Sequence, residues 1–168
     1  KSTDILLTSS RPQALLKLGL HWKVLHKKFQ KLSMINIVGS SRLQNKPGHD
    51  LTYQASLGLL PFKDGKPVLP TTLLADLAAV HQVVIEVLKL SHFKQKKGKC
   101  ITVSIEKCAR FFLAPLEHGL TSNQGWLGGK FAGYNLYQCS DGQWIALAAL
   151  EKHFISNLLS LLQIQSLD

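Results

Sequence analysis

With 168 residues, 45% of them hydrophobic and 18% charged, the chain carries enough apolar side chain to bury a domain-sized core and too little charge for a disordered segment. Twenty Lys and Arg against ten Asp and Glu give a net charge of +10, a balance that suits nucleic acid, an anionic membrane or a phosphorylated ligand without choosing among them. No apolar run approaches the roughly 20 residues that span a bilayer, and the opening "KSTDILLTSS" is no secretory leader but reads as a chain that begins in mid-domain.

Three cysteines, Cys100, Cys108 and Cys139, are odd in number and lack metal-ligand spacing. They point to free thiols, no metal centre and a reducing, cytoplasmic setting.

In chain order, "DILLTSSRPQALLKLGL" begins as a buried strand at Ile5–Thr8. It turns at Ser9-Ser10 and Arg11-Pro12, then enters a helix over Gln13–Leu18 that Gly19 is placed to end. "KLSMINIVGSS" holds a β-branched core at Ile35–Val38 and a turn at Gly39. Two strand–turn units of this kind predict an α/β layout, in which ligands gather at the carboxyl ends of the strands. Pro70, Thr71 and Thr72 supply a helix start, and the helical pattern runs to about Phe93. The basic run "KQKKGK", Lys94–Lys99, reads as a solvated loop feeding a strand at Cys100–Ile105. "EKCARFFLAPLEHGL" reads as a helix stopped near Pro115, and "TSNQGWLGGKFAG" as a glycine-rich connector. Two strands about the Asp141-Gly142 turn and a final amphipathic helix, "EKHFISNLLSLLQI", complete the chain.

Between Thr72 and Val87 only Asp76 and Glu86 are charged, so the long helix reads as apolar nearly all round and therefore buried. Asp76 then has two readings. It is an ordinary first-turn acid that bonds the free amides of the helix start, or a functional carboxylate whose ionisation is shifted by burial. His49-Asp50, in "PGHDLTYQASLGLL", is either a solvated turn or part of the same site. Glu151, at the start of the last helix, is a third acid with a similar choice.

Five stretches in register tie these positions together: "DILLTSSRPQALLKLGL", "PGHDLTYQASLGLL", "LPTTLLADLAA", "KGKCITVSI" and "LGGKFAGYNLYQCSDGQWIALAALEKHF". In this order they resemble the family III CoA-transferases, the group that includes carnitine and bile-acid CoA-transferases and α-methylacyl-CoA racemase. The resemblance implies an α/β fold: part of a Rossmann-like CoA-binding large domain, without its first strand, over 1–106. A helix and glycine-rich connector follow over 107–133, and the start of a small α+β domain over 134–168. Family chains are more than twice this long, so the sequence reads as a fragment.

The same resemblance assigns roles. Asp76, His49 and Glu151 match catalytic positions. Ser9, Ser10, Arg11, Lys17 and Leu18 match the segment that lines the nucleotide, and Gly128-Gly129 match a loop that closes over the reacting thioester. Coenzyme A is implied as a substrate and carrier rather than a permanently bound cofactor, with an acyl-CoA and a carboxylic acid as reactants. An interlocked homodimer is implied for the full-length form, with no nucleic-acid or membrane partner. In the transferases the residue matching Asp76 carries CoA as an aspartyl thioester. In the racemase the residues matching His49 and Asp76 exchange an α-proton, and the one matching Glu151 orients the histidine. Transfer of CoA is the first expectation and racemase or epimerase activity the alternative. An inactive truncated relative, or a basic binding module, is a further alternative.

Overall fold

A computed structural model describes residues 3–93 and 96–167. These pack as two compact units, the first ending at Phe112 and the second beginning at Leu113.

The first unit is built on a three-stranded parallel sheet in the order β1-β2-β5, formed by β1 (Ile5–Thr8), β2 (Ser33–Val38) and β5 (Cys100–Ser104). The alternation of β2 decides its two faces. Met34 points into a cluster with Leu15 and Leu25, from helices α1 (Pro12–Lys17) and α2 (Trp22–Lys28). Ile35 points the other way, against Ala79 and Val83 of helix α4 (Leu74–His92) and Val103 of β5. Both Met34 and Ile35 are fully buried. The unit is thus a sheet between helical layers, the α/β arrangement that the strand–turn pattern predicts.

Several local expectations change. Helix α1 starts one residue early, because Pro12 takes the first helical position where its missing N–H costs nothing. Helix α2 has no counterpart in the sequence reading. Its apolar content is small, and Leu25 alone is buried. A short helix α3 (Asp50–Ser56) follows His49, where a polar turn was one reading. A two-residue hairpin joins β3 (Phe62–Lys63) and β4 (Lys66–Pro67) through Asp64 and Gly65, both at positive φ.

Helix α4 begins at Leu74, two residues after the expected Thr72 start. It is also not buried all round. Ala79 and Val83 pack on the sheet and Ala75 and Ala78 are buried with them, while Leu77, Val80, Val84, Ile85 and Leu88 are exposed. Small residues on the packed face let the helix lie close to the sheet, so counting apolar positions around its circumference overstates what it buries.

Of the basic run Lys94–Lys99, Lys94 and Gln95 lie outside the described residues. Lys96, Lys97 and Lys99 are exposed. Gly98 between them is required by packing: its N–H donates to the Gln30 carbonyl at 2.8 Å, and a Cβ there would fall onto the carbonyl of Leu32.

Pro115 does not stop a helix. Helix α5 (Ile105–Arg110) ends earlier, passes through a 3-10 turn at Phe111–Leu113, and Pro115 sits in the first turn of α6 (Ala114–Glu117). The second unit then holds the antiparallel pair β6 (Tyr134–Gln138) and β7 (Trp144–Ala148). Gly142 in their turn is at positive φ. Helix α7 (Lys152–Leu162) closes the unit, with Glu151 at its N-cap. Among the described residues no helix is long and apolar enough to cross a membrane.

Candidate active site

The carboxyl ends of β2 and β5 meet at Gly39. Its carbonyl accepts from the Glu106 N–H at 3.0 Å and from the Ser104 hydroxyl at 3.3 Å, so the end of β2 is tied to the start of α5. A cleft of about 240 Å³ opens there, lined among others by Ser9, Arg11, Lys46, His49 and Tyr53. Tyr53 enters it between two glycines, since a Cβ on either Gly39 or Gly48 would collide with its phenol. Ligands of parallel α/β sheets bind at this end of the strands. Of the nucleotide-segment candidates, Ser9 and Arg11 line the cleft. Ser10, Lys17 and Leu18 do not, although all three are exposed.

Beside the cleft, helices α3 and α4 are joined by one buried carboxylate. Asp50 is 4% exposed. Its Oδ1 accepts from the Ala75 N–H at 2.8 Å and from the Asp76 N–H at 3.1 Å. Its Oδ2 accepts from Gln54 Nε2 at 2.6 Å, and the same amide nitrogen donates to the Thr72 carbonyl at 3.0 Å. Gln54 is 2% exposed.

The N-cap residue of α4 is Leu73, which has no side-chain acceptor. Asp50 therefore does the work of a helix cap from 25 residues away, satisfying amides that the first turn leaves free. The sequence pointed to the His-Asp pair but not to this role, and Gln54, with Ala55, resembled the transferases without any sign that it would hold Asp50.

This weighs against reading Asp76 as an acid that bonds the amides of its own helix start. Two of the first-turn amides that an N-terminal acid can bond, those of Ala75 and Asp76, are taken by Asp50. Among the described residues the Asp76 carboxylate makes no hydrogen bond of its own. It is partly buried, not enclosed in an apolar helix. Its pKa is raised above 3.8, first by burial and then by the Asp50 charge, with His49 acting in the opposite sense. The phenol of Tyr53 is also raised, by burial and then by Asp76 and Glu106. His49 and Asp76 are thus within electrostatic reach of each other. The His49 backbone is pinned by Thr52: its N–H donates to Thr52 Oγ1 at 3.1 Å, and the Thr52 hydroxyl donates back to the His49 carbonyl at 2.7 Å.

The shift has a consequence for stability. A carboxyl whose folded pKa is raised contributes stability below its unfolded value near 3.8, and that contribution is lost as pH rises through the folded value. Asp76→Asn is therefore expected to raise the thermal midpoint at pH 7, through a stability gain of less than about 1 kcal/mol given solvent screening, with the gain vanishing below pH 3.8. Melting curves of both proteins between pH 3 and 8 check this. A lower midpoint for the variant at neutral pH contradicts it.

Glu151, Gly128 and Gly129 belong to the second unit. Gly128 and Gly129 line a cleft of about 340 Å³ with Tyr134, Asn135 and residues of β7. Asn135 Nδ2 donates to the Gly129 carbonyl at 2.9 Å, and Gly129 has φ +95°, a conformation open to glycine. Glu151 is exposed, and its side chain makes no capping hydrogen bond to α7.

Parallel strands with helices on both faces and a cleft at their carboxyl ends place the first unit in the doubly wound α/β class. The chain belongs to CoA-transferase family III: the family model matches residues 1–168. Members of this family use CoA thioesters as substrates. The chain is 27% identical to a CaiB/baiF CoA-transferase family protein of Caenorhabditis elegans, ZK892.4, over all of this chain and 54% of that one. Its fold is similar to the crystal structure of the hypothetical protein Rv3272 from Mycobacterium tuberculosis, with a TM-score of 0.80 and 22% identity, covering 96% of this chain and 46% of that one. A CAIB/BAIF family protein from Brucella suis superposes with a TM-score of 0.73 and 21% identity over the same shares. The chain thus spans about half the length of the relatives it matches.

Proposed function

We propose that the chain is part of an acyl-CoA-processing enzyme that transfers CoA between carboxylic acids through Asp76. The observation that carries this is the Asp76 carboxylate: partly buried, without hydrogen bonds among the described residues, and beside a second carboxylate. A poorly solvated carboxylate of raised pKa is a better nucleophile than one held by helix amides.

In the proposed reaction an Asp76 oxygen attacks the thioester carbonyl. The C–S bond breaks, and CoA leaves as the thiolate from a mixed anhydride. The thiolate then attacks the Asp76 carbonyl and expels the first acid as its carboxylate, which leaves CoA on Asp76 as a thioester. The acceptor carboxylate repeats both steps in reverse. Ser9, Ser10, Arg11, Lys17 and Leu18 are proposed along the nucleotide, where a cationic guanidinium suits a phosphate. Gly128-Gly129 are proposed to close over the thioester, and a paired chain to complete the enzyme.

The second reading is racemisation, favoured by the reach of His49 to Asp76. Two groups that exchange a proton on opposite faces of an enolate need matched pKa values, and Glu151 is proposed to orient the histidine. One experiment separates the two. With a 2-methylacyl-CoA and a free acid in deuterated water, transfer is expected to give the new acyl-CoA without α-deuterium, and hydroxylamine is expected to trap Asp76 during turnover. Deuterium at the α-carbon without exchange supports racemisation instead. Neither product rejects both.

A further inference from the structure

The buried hydrogen bonds of Asp50 reach beyond capping. The start of a helix carries the equivalent of roughly half a positive charge, concentrated on its free amides. An aspartate in the third helical position, as Asp76 is, normally sits in that field and is stabilised as an anion. Here the two nearest amides, those of Ala75 and Asp76 itself, converge on a single Asp50 oxygen, which puts a full negative charge at the point where the helix end is positive. Gln54 holds the other oxygen and is itself anchored on Thr72, so the carboxylate has little freedom to leave.

We propose that Asp50 is the positioning residue of this site: its carboxylate clamps the first turn of α4 and cancels the positive field that turn would otherwise place on Asp76. The inference rests on Asp76 being the reacting carboxylate. It explains why an acid at a helix N-terminus stays basic enough to attack a thioester or take a proton, where helix geometry alone would make it a weaker base. The other charged or titratable groups that interact with Asp76 are His49 and Tyr53 from the α3 side, and the Tyr53 phenol is in turn reached by Glu106 from α5. Burial is the largest cause of the raised value; of the two charges that act on Asp76, Asp50 adds to it and His49 opposes it.

The test is a carbon-detected NMR titration of the Asp76 carboxyl, assigned by its loss in Asp76→Asn. In Asp50→Asn the amide oxygen can still accept from both backbone N–H groups, but the charge is gone. The Asp76 pKa is expected to fall by about one pH unit, the size of a neighbouring-charge effect, while the circular dichroism of the helices is retained. A purely structural role predicts no fall, and an unchanged or higher pKa in this variant overturns the proposal. Gln54→Met serves as the second variant, since it keeps the Asp50 charge and loosens only its hold. Its thermal midpoint is expected to drop, with the Asp76 pKa still above 3.8. A value at or below that overturns the proposal even if Asp50→Asn does not fold. Because the titration needs no substrate, the two failures are distinguishable: a lowered pKa in an enzyme that turns over no acyl-CoA keeps the effect of Asp50 on Asp76 and removes only the catalytic role it would serve.

Discussion

Asp50→Ala is expected to cost about 3 kcal/mol or more of folding stability, a large share of the roughly 5–15 kcal/mol that holds a domain together. The change removes three hydrogen bonds to a carboxylate at once. It leaves the amides of Ala75 and Asp76 and the side-chain amide of the fully enclosed Gln54 short of partners where water reaches poorly. Ordinary cap deletions cost about 1 kcal/mol because water replaces the lost acceptor; here the acceptor is buried and shared between two helices. Equilibrium urea unfolding, followed by far-ultraviolet circular dichroism, gives the difference directly. Asp50→Asn is expected to recover much of the loss, because its oxygen still serves both backbone amides. A midpoint for Asp50→Ala indistinguishable from the parent shows that the helix start finds other acceptors, and the clamp is then unimportant.

Asp76→Ala is expected to do the reverse: abolish chemistry and spare the fold. If Asp76 carries the acyl group and then CoA, no neighbouring group can take over its bonds, and the loss in kcat is expected to be on the order of 10³-fold or more. Stability is expected to hold or rise at neutral pH, since the carboxylate is partly buried, unbonded among the described residues and repelled by Asp50. Rate measurements in the full-length enzyme, paired with melting curves, test both halves. Residual transfer above a tenth of the parent rate moves the nucleophile elsewhere.

The contrast between these two neighbouring acids bears on how much of the site was legible beforehand. Asp76 stood out because an acid in an apolar helical stretch is conspicuous in one dimension. Asp50 stood in a Pro-Gly-His-Asp turn where a solvated carboxylate is the commoner outcome, and nothing local says that it will be enclosed. Gln54 is one turn along the same helix, and its amide is spoken for by Asp50 and by Thr72, 18 residues further on. Hydrogen bonds over such separations depend on how α3 lies against α4, which no window of a dozen residues contains. Helix α2 was missed for a related reason: its single buried position, Leu25, gives no period to read.

The apolar run of β1, the β-branched core of β2, the Arg-Pro and Gly punctuation and the Asp-Gly hairpin were sufficient by themselves to place β1, β2, β6 and β7, the approximate bounds of α1, α4 and α7, and the α/β class, because backbone sterics and turn chemistry act locally. The order of motifs pointed to the family. Tertiary structure alone decided which face of α4 is covered, which carboxylate is spent on the helix start and which is left with unfilled bonding capacity. Those outcomes depend on desolvation and on partners brought from distant parts of the chain, and both come into being only when the helices pack.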